Sequence, residues 1–538
     1  MSASRSARWV GGSLVFLFVL ARALMLFEPA LLILTPDVKE HVSIANAFTL
    51  GQGFVNPIQW YFALPGPPPI PAAATRAPVV PLLLTGAFST GANLAQAMYA
   101  HIVLAGFVAI GMFLVTCRFT RPPLAAAAVL LIVTTSSWTV VTNTALTEIT
   151  GLAVSMLVIA TAAGVGRSWS GAILCAVVTV LAWLTRPNLA PLGLAVAVAV
   201  AWDVRRPSAF IRSPVPVYLV TVISSMSLVS WLITAGTGLP PYDGYRHAFE
   251  HFPEARAFRY GLEYVGAATF IEAHFDKIVA ACLANARSLS ATLFESGQFQ
   301  FAGWWLLAGT ISVLSAPSRS TVEQRILVLG GLGFSTMIVL SYPTFDRLRY
   351  PLFPATFGIL AGAGALEQAI TWCEKRLPAF QPDMLNHGAW ACVLAPSVWV
   401  LLTLPSLPPT IVSPNKSRSV DCSLFEPGTL IMSDEPWRVH WMCGNPAVRV
   451  PSNFPSEEVR LRFLADYAPR YFITYRKVLT SRAKEDPELR FLGPFGIGFA
   501  FEFTNAPLAK KPGLIVRPPR CRLTPSAPGC EDPPPAEP

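Results

Sequence analysis

Three carboxylates and four arginines stand in places where a chain this apolar carries little other charge. Asp37 and Glu40 lie in LTPDVKEH, directly after a long apolar run, and Glu148 opens another such run in TNTALTEITG. Arg76 sits in PIPAAATRAP, Arg186 in LTRPN, and Arg347 and Arg349 in RLRY. A carboxylate at the mouth of a membrane-embedded cavity can act as a general base on a hydroxyl. Guanidinium groups offer paired, planar donors that match the oxygens of a phosphate. Each residue also has a plainer reading. Asp37 after Pro36 suits the N-cap of a helix DVKEHVSIANAFTL. Glu148 suits a solvated helix start favoured by the dipole, and an exposed arginine needs no special cause. RHAFEHF places His247, Glu250 and His251 in the order of an inverted zinc-protease motif. No third ligand follows it, so neither a metal nor a cofactor is expected.

The elements that must position these residues are membrane helices. Of 538 residues, 53% are hydrophobic and only 13% charged, against about a quarter charged in soluble domains. The spacing predicts a mainly α, polytopic membrane protein with about eleven spans, each near the ~20 residues that cross the hydrocarbon core. They are expected near 9–34, 92–116, 123–141, 147–165, 169–185, 188–202, 214–236, 301–316, 324–342, 350–370 and 389–405. MSASRSARWVGGSLVFLFVLARALMLF reads as a retained first span, since its apolar run exceeds a signal-peptide core. With the N-terminus cytoplasmic, the gaps CRFTRPP, GVGRSWS, DVRRPSAFIR, PSRSTVEQR and CEKRLPAF face inward and all carry Lys or Arg, as the positive-inside rule requires. The formal charge of +9 then belongs to inner loops and implies no nucleic acid. Arg76, Arg186, Arg347 and Arg349 fall on the outer side, against that bias. Arg22, within the first span, needs an internal partner, and Glu148 is one candidate.

Residues 1–405 are expected to form the transmembrane catalytic domain, with outer loops 35–91 and 237–300. Residues 406–510 read as a small outer α/β domain: GTLIMSD and YFITY as strands, EEVRLRFLADYAPR as a helix. The tail 511–538 is Pro-rich and expected to be disordered. Cys422, Cys443, Cys521 and Cys530 would lie in an oxidising compartment, which favours one or two disulfides among them.

In their order and on their common side, these motifs resemble the GT-C superfamily of membrane glycosyltransferases. The likeness is narrowest to bacterial relatives of protein O-mannosyltransferases and of the lipid A aminoarabinose transferases. It is carried by PDVKEHVSIANAFTLGQGF as a first outer loop, RAPVVPLLLTG after it, TALTEITGL, LTRPN, RLRYPLFPA, and SDEPWRVHWMCGNPAVRVP at the start of the soluble domain. Where relatives carry Tyr-x-x-Gly-Arg, this chain reads Trp441, Met442, Cys443, Gly444, Asn445. The resemblance implies an inverting transfer of a sugar from a polyprenyl-phosphate carrier to a cell-envelope acceptor (glycan, lipid or protein) at the outer face of the cytoplasmic membrane. In that reading Asp37 and Glu148 are catalytic, and Glu40, Arg76, Arg186, Arg347 and Arg349 bind substrate. The alternative is a transporter or lipid flippase without transferase activity. Such proteins place paired charges at the bilayer midplane and show repeated halves; here the charges gather on one face.

Overall fold

The computed structural model describes residues 5–26, 36–59, 68–142, 147–202, 207–237, 272, 275–341, 349–376, 421–449, 457–475, 477–495 and 498–504. The expected span 389–405, Arg347, the 247–251 motif, Cys521, Cys530 and the tail 511–538 lie outside these residues. The chain divides into two compact units. One draws on Met1–Leu32, Met98–Ser230 and His274–Pro409, the other on Ile33–Ala97, Trp231–Ala273 and Thr410–Pro538.

The first unit is helical. Helices Leu94–Thr116, Thr147–Val165, Val215–Thr237 and Val322–Leu340 are long and apolar enough to cross a membrane. Shorter apolar helices include Pro122–Val133, Trp169–Thr185, Pro187–Ala201 and Ala302–Ser315. The first described helix is Arg5–Leu26, beginning before the expected 9–34. The expected 123–141 span is two helices, Pro122–Val133 and Ser136–Thr142. Threonines make the break: Thr134 Oγ1 donates to the Leu130 carbonyl, Thr135 Oγ1 donates to that of Ile132, and Thr135 Oγ1 accepts from the Trp138 N–H. Arg22 is held at this break, not by Glu148. Its Nη1 donates to the Val133 carbonyl at 3.1 Å and its Nη2 to Thr139 Oγ1 at 3.3 Å. A helix end leaves carbonyls unsatisfied, and a guanidinium supplies the missing donors.

Helices Thr147–Val165 and Trp169–Thr185 form a hairpin across GRS. Ser168 caps the second, accepting from the Gly171 N–H at 3.0 Å. A Cβ on Gly171 would collide with the Gly164 carbonyl oxygen and lie 2.9 Å from the Gly164 Cα, all backbone. The two helices are nearly equal in length, so the start of one and the end of the other lie level. Glu148 and Arg186 therefore share one end of the hairpin.

The second unit is built on a six-stranded sheet. Its strands are β2 (Ile58–Gln59), β4 (Ile431–Ser433), β5 (Ala447–Arg449), β6 (Tyr471–Thr474), β7 (Leu489–Phe495) and β8 (Gly498–Phe503), in the order β2-β5-β4-β6-β8-β7. The first four strands are mutually parallel, and the β6–β8–β7 pairings are antiparallel. β1 (Val55–Asn56) and β3 (Ile70–Pro71) pair separately. Two of the six strands, β4 and β6, match the expected GTLIMSD and YFITY. The edge strand β2 comes from the first loop, outside the expected 406–510. Phe472 packs on one face of the sheet with Phe463 and Phe501, while Tyr471 and Ile473 pack on the other with Val439 and Phe495. Both faces are covered, which is why YFIT is apolar without alternation. Cys422 and Cys443 form a disulfide.

The Pro436–Cys443 helix ends at Gly444, which takes the left-handed conformation at φ +77°, a position that favours glycine. Asn445 then donates its amide to the Glu426 and Thr429 carbonyls, and its own carbonyl meets His440 Nδ1 at 2.8 Å. The residue replacing the relatives' arginine thus ties a turn. Burial pushes the His440 imidazole down to about 4.

Two predictions follow from the fold. Gly171→Ala is expected to destabilise the protein by about 1–3 kcal/mol, because backbone blocks the added methyl; thermal unfolding in detergent reads the loss. His440 is neutral when folded and protonates near pH 6.5 when unfolded, so its share of stability falls as pH drops from about 6.5 to 4. His440→Gln should flatten that part of the pH–stability curve, with denaturant midpoints as the measurement.

Candidate functional site

The helix Pro36–Thr49 starts at a proline, with Asp37 in its first turn. Asp37 is a residue of the helix itself, so its carboxylate is not at the N-cap position. Asp37 and Glu40 are one turn apart and therefore share a face. Val38, Val42 and Ala45 are fully buried and fix that face's direction. The helix stops at GQG, where Gly51 and Gly53 adopt φ of +75° and +85°. The returning chain brings Asn56 and then Arg76 back to the carboxylates. Arg76 Nη2 lies 2.9 Å from Asp37 Oδ1, and Arg76 Nε 2.9 Å from Glu40 Oε2. Asn56 Nδ2 donates to the other oxygen of Glu40 at 2.5 Å. The two acids differ in access: the side chain of Glu40 is 6% exposed and that of Asp37 28%. Glu40 is occupied in holding Arg76. Asp37 combines a fixed position with partial exposure to solvent, which a general base needs.

A second cluster lies in the helical unit. Glu148 is fully buried in the first turn of its helix. Its Oε1 lies 2.8 Å from Arg186 Nη1, 3.1 Å from Arg349 Nη2 and 3.2 Å from Arg349 Nε. Arg186 follows the hairpin's second helix, where Pro187 prevents continuation. Its guanidinium stacks 5.2 Å from the Phe353 ring centroid and donates to Thr147 Oγ1. One carboxylate oxygen thus serves two guanidinium groups. Both of these arginines run against the expected topology bias. The solvated-start reading of Glu148 does not hold, because the side chain is sealed from solvent and ion-paired. Glu148 Oε2 has no hydrogen-bond partner among the described residues.

Asp37, Glu40 and Arg76 are thus brought together in one unit, and Glu148, Arg186 and Arg349 in the other. Asn56 and Phe353 were missed. Asn56 follows the Gly-rich turn and Phe353 lies next to RLRY, but neither residue type announces a role. Among the described residues no group of three His, Cys, Asp or Glu could hold a metal ion.

No protein-family model matches the sequence, and no curated protein matches it. Solved structures do. ArnT from Cupriavidus metallidurans in the apo state aligns with a TM-score of 0.53 at 12% identity, over 93% of this chain and 98% of that one. The same protein bound to undecaprenyl phosphate aligns at 0.50 and 14%, with the same coverage. The archaeal oligosaccharyltransferase AglB from Archaeoglobus fulgidus, in complex with an inhibitory peptide and a dolichol-phosphate, aligns at 0.51 and 11%, over 92% of this chain and 75% of that one. The chain has the fold of the GT-C membrane glycosyltransferases.

Glu148→Gln should destabilise the protein by roughly 3–5 kcal/mol, since it leaves two arginines without their buried counter-charge. Adding Arg349→Gln should recover part of the loss. Thermal midpoints of the purified variants decide this.

Proposed function

We propose that the protein is an inverting glycosyltransferase that moves a sugar from a polyprenyl-phosphate carrier to an acceptor hydroxyl at the outer face of the cytoplasmic membrane. The observation that carries this reading is Asp37, an acid held on Arg76 yet partly exposed, in a chain with the fold of enzymes whose solved structures hold undecaprenyl phosphate or a dolichol-phosphate. The acceptor oxygen attacks the anomeric carbon and its proton passes to Asp37. The bond between that carbon and the phosphate oxygen breaks, and the carrier leaves as a polyprenyl phosphate. Arg186 and Arg349 are assigned to the carrier phosphate, whose charge grows as that bond breaks. Glu148 fixes both guanidinium groups, so its role is positioning. Arg347 remains a proposed partner of the same phosphate.

The Cys422–Cys443 disulfide supports an oxidising compartment for the sheet. The first loop contributes strand β2 to that sheet, which supports the same side of the membrane for Asp37. The N-terminus is then cytoplasmic and the C-terminal domain periplasmic.

Asp37→Asn is expected to lower transfer from a radiolabelled polyprenyl-phosphate sugar by about 10²-fold or more, with carrier binding unchanged. Arg186→Ala and Arg349→Ala should weaken carrier binding, and the Lys variants should rescue it poorly for lack of the planar fork. Parent-rate turnover by purified Asp37→Asn would remove the base from Asp37.

A further inference from the structure

The two acids of the first-loop helix are held by a chain of contacts that begins in the sheet. Strand β2 is an edge strand. Ala447 on β5 donates its N–H to the Pro57 carbonyl at 3.1 Å. Backbone groups alternate in direction along a strand, so the Ile58 N–H points away from β5, to the side that an edge strand leaves unpaired. Asn56 takes it. Its Oδ1 accepts from the Ile58 N–H at 3.0 Å, the side-chain turn that Asn favours two residues ahead of a backbone donor.

That turn fixes the direction of the amide. With Oδ1 engaged by Ile58, Nδ2 faces Glu40 and donates to its Oε1. Asn56 is fully buried and Glu40 nearly so, which keeps water out of this bond. Glu40 Oε2 in turn accepts from Arg76 Nε, and Arg76 Nη2 donates to Asp37 Oδ1. The backbone delivers Arg76 to the same place. Asn56 on β1 pairs with Ile70 on β3, the Ala72 N–H donates to the Phe54 carbonyl, and the Arg76 N–H to the Ala72 carbonyl. These bonds bring the Arg76 backbone alongside but leave its long side chain several rotamers. Glu40 selects the rotamer that reaches Asp37, and it does so because its own carboxylate is held.

We infer that Asn56 is a positioning residue for Asp37. It holds Glu40, Glu40 aims Arg76, and Arg76 fixes the Asp37 carboxylate. The inference rests on Asp37 as the base proposed above. A base must come within about 2.6–3.2 Å of the group whose proton it takes, and a misplacement of about 1 Å can cost about 10²-fold in rate. The effect belongs to the chemical step and not to carrier binding, which is assigned to Arg186 and Arg349.

Asn56→Ser separates the two contacts of the side chain, since a serine hydroxyl makes the same kind of turn to Ile58 but is too short to reach Glu40. In nanodiscs the full-length variant should transfer sugar from the radiolabelled polyprenyl-phosphate donor roughly tenfold more slowly, while binding undecaprenyl phosphate as tightly as the parent. Lost packing alone would slow the enzyme equally whatever stands at position 40. Action through Glu40 would not, so the substitution is repeated on Glu40→Ala. There it should cost about twofold at most, because residues acting through one contact are not additive. Asn56→Asp keeps the size and the turn acceptor but sets a carboxylate against Glu40. It should be slowed at least as much, and it carries the test if the serine variant does not fold. The inference is overturned if the folded Asn56 variants turn over at the parent rate, or if their loss is undiminished on Glu40→Ala. Asp37→Asn is measured beside them. Parent-rate turnover by Asp37→Asn removes the base and this inference with it, whereas a slow Asp37→Asn beside parent-rate Asn56 variants removes the inference alone.

Discussion

Charge in apolar surroundings must be paired, and that constraint organises this protein. Glu148 is sealed from solvent, and its carboxylate persists because Arg186 and Arg349 both reach it. That meeting requires the 147–165 and 169–185 helices to be level, which the Gly164–Gly171 approach enforces. It also requires the chain to turn at Pro187. A buried pair of this kind gives little net stability over an apolar core, yet losing one partner is expensive. Its value is a fixed position for two guanidinium groups.

The same rule shapes the other cluster in a milder form. Arg76 binds two carboxylates, but it distributes them unequally. Glu40 is buried against Asn56 and Arg76, whereas Asp37 is partly exposed. The sheet is tied to this cluster by the chain itself, since Asn56 and β2 are separated by a single residue. A shift in the β2–β5 register would therefore move the residue that holds Glu40.

Arg22 shows how an isolated charge is satisfied without an acid. The Thr134–Thr135 break in what hydropathy reads as one continuous span exposes carbonyl oxygens, and the guanidinium takes them. Hydropathy averages over a window, so it registers apolar content and not the local exchange of hydrogen bonds that splits a helix. For the same reason it placed the limits of Thr147–Val165 and Trp169–Thr185 well, where no break intervenes. The two-residue strand β2 carries too short a pattern to be read at all.

The sequence by itself determined the helical, membrane-type character of the chain, because apolar length is a local property. It also picked out Asp37, Glu148, Arg76, Arg186 and Arg349, since charge against an apolar background and against the topology bias stands out residue by residue. What the tertiary structure decided was who meets whom. Arg349 lies 201 positions from Glu148, and no spacing rule links residues so far apart. Whether Arg22 or two other arginines would claim Glu148, and which of Asp37 and Glu40 would be the more exposed, depended on where glycines and prolines let the chain fold back. Partner choice is a matter of three-dimensional distance, and a linear pattern holds no record of it.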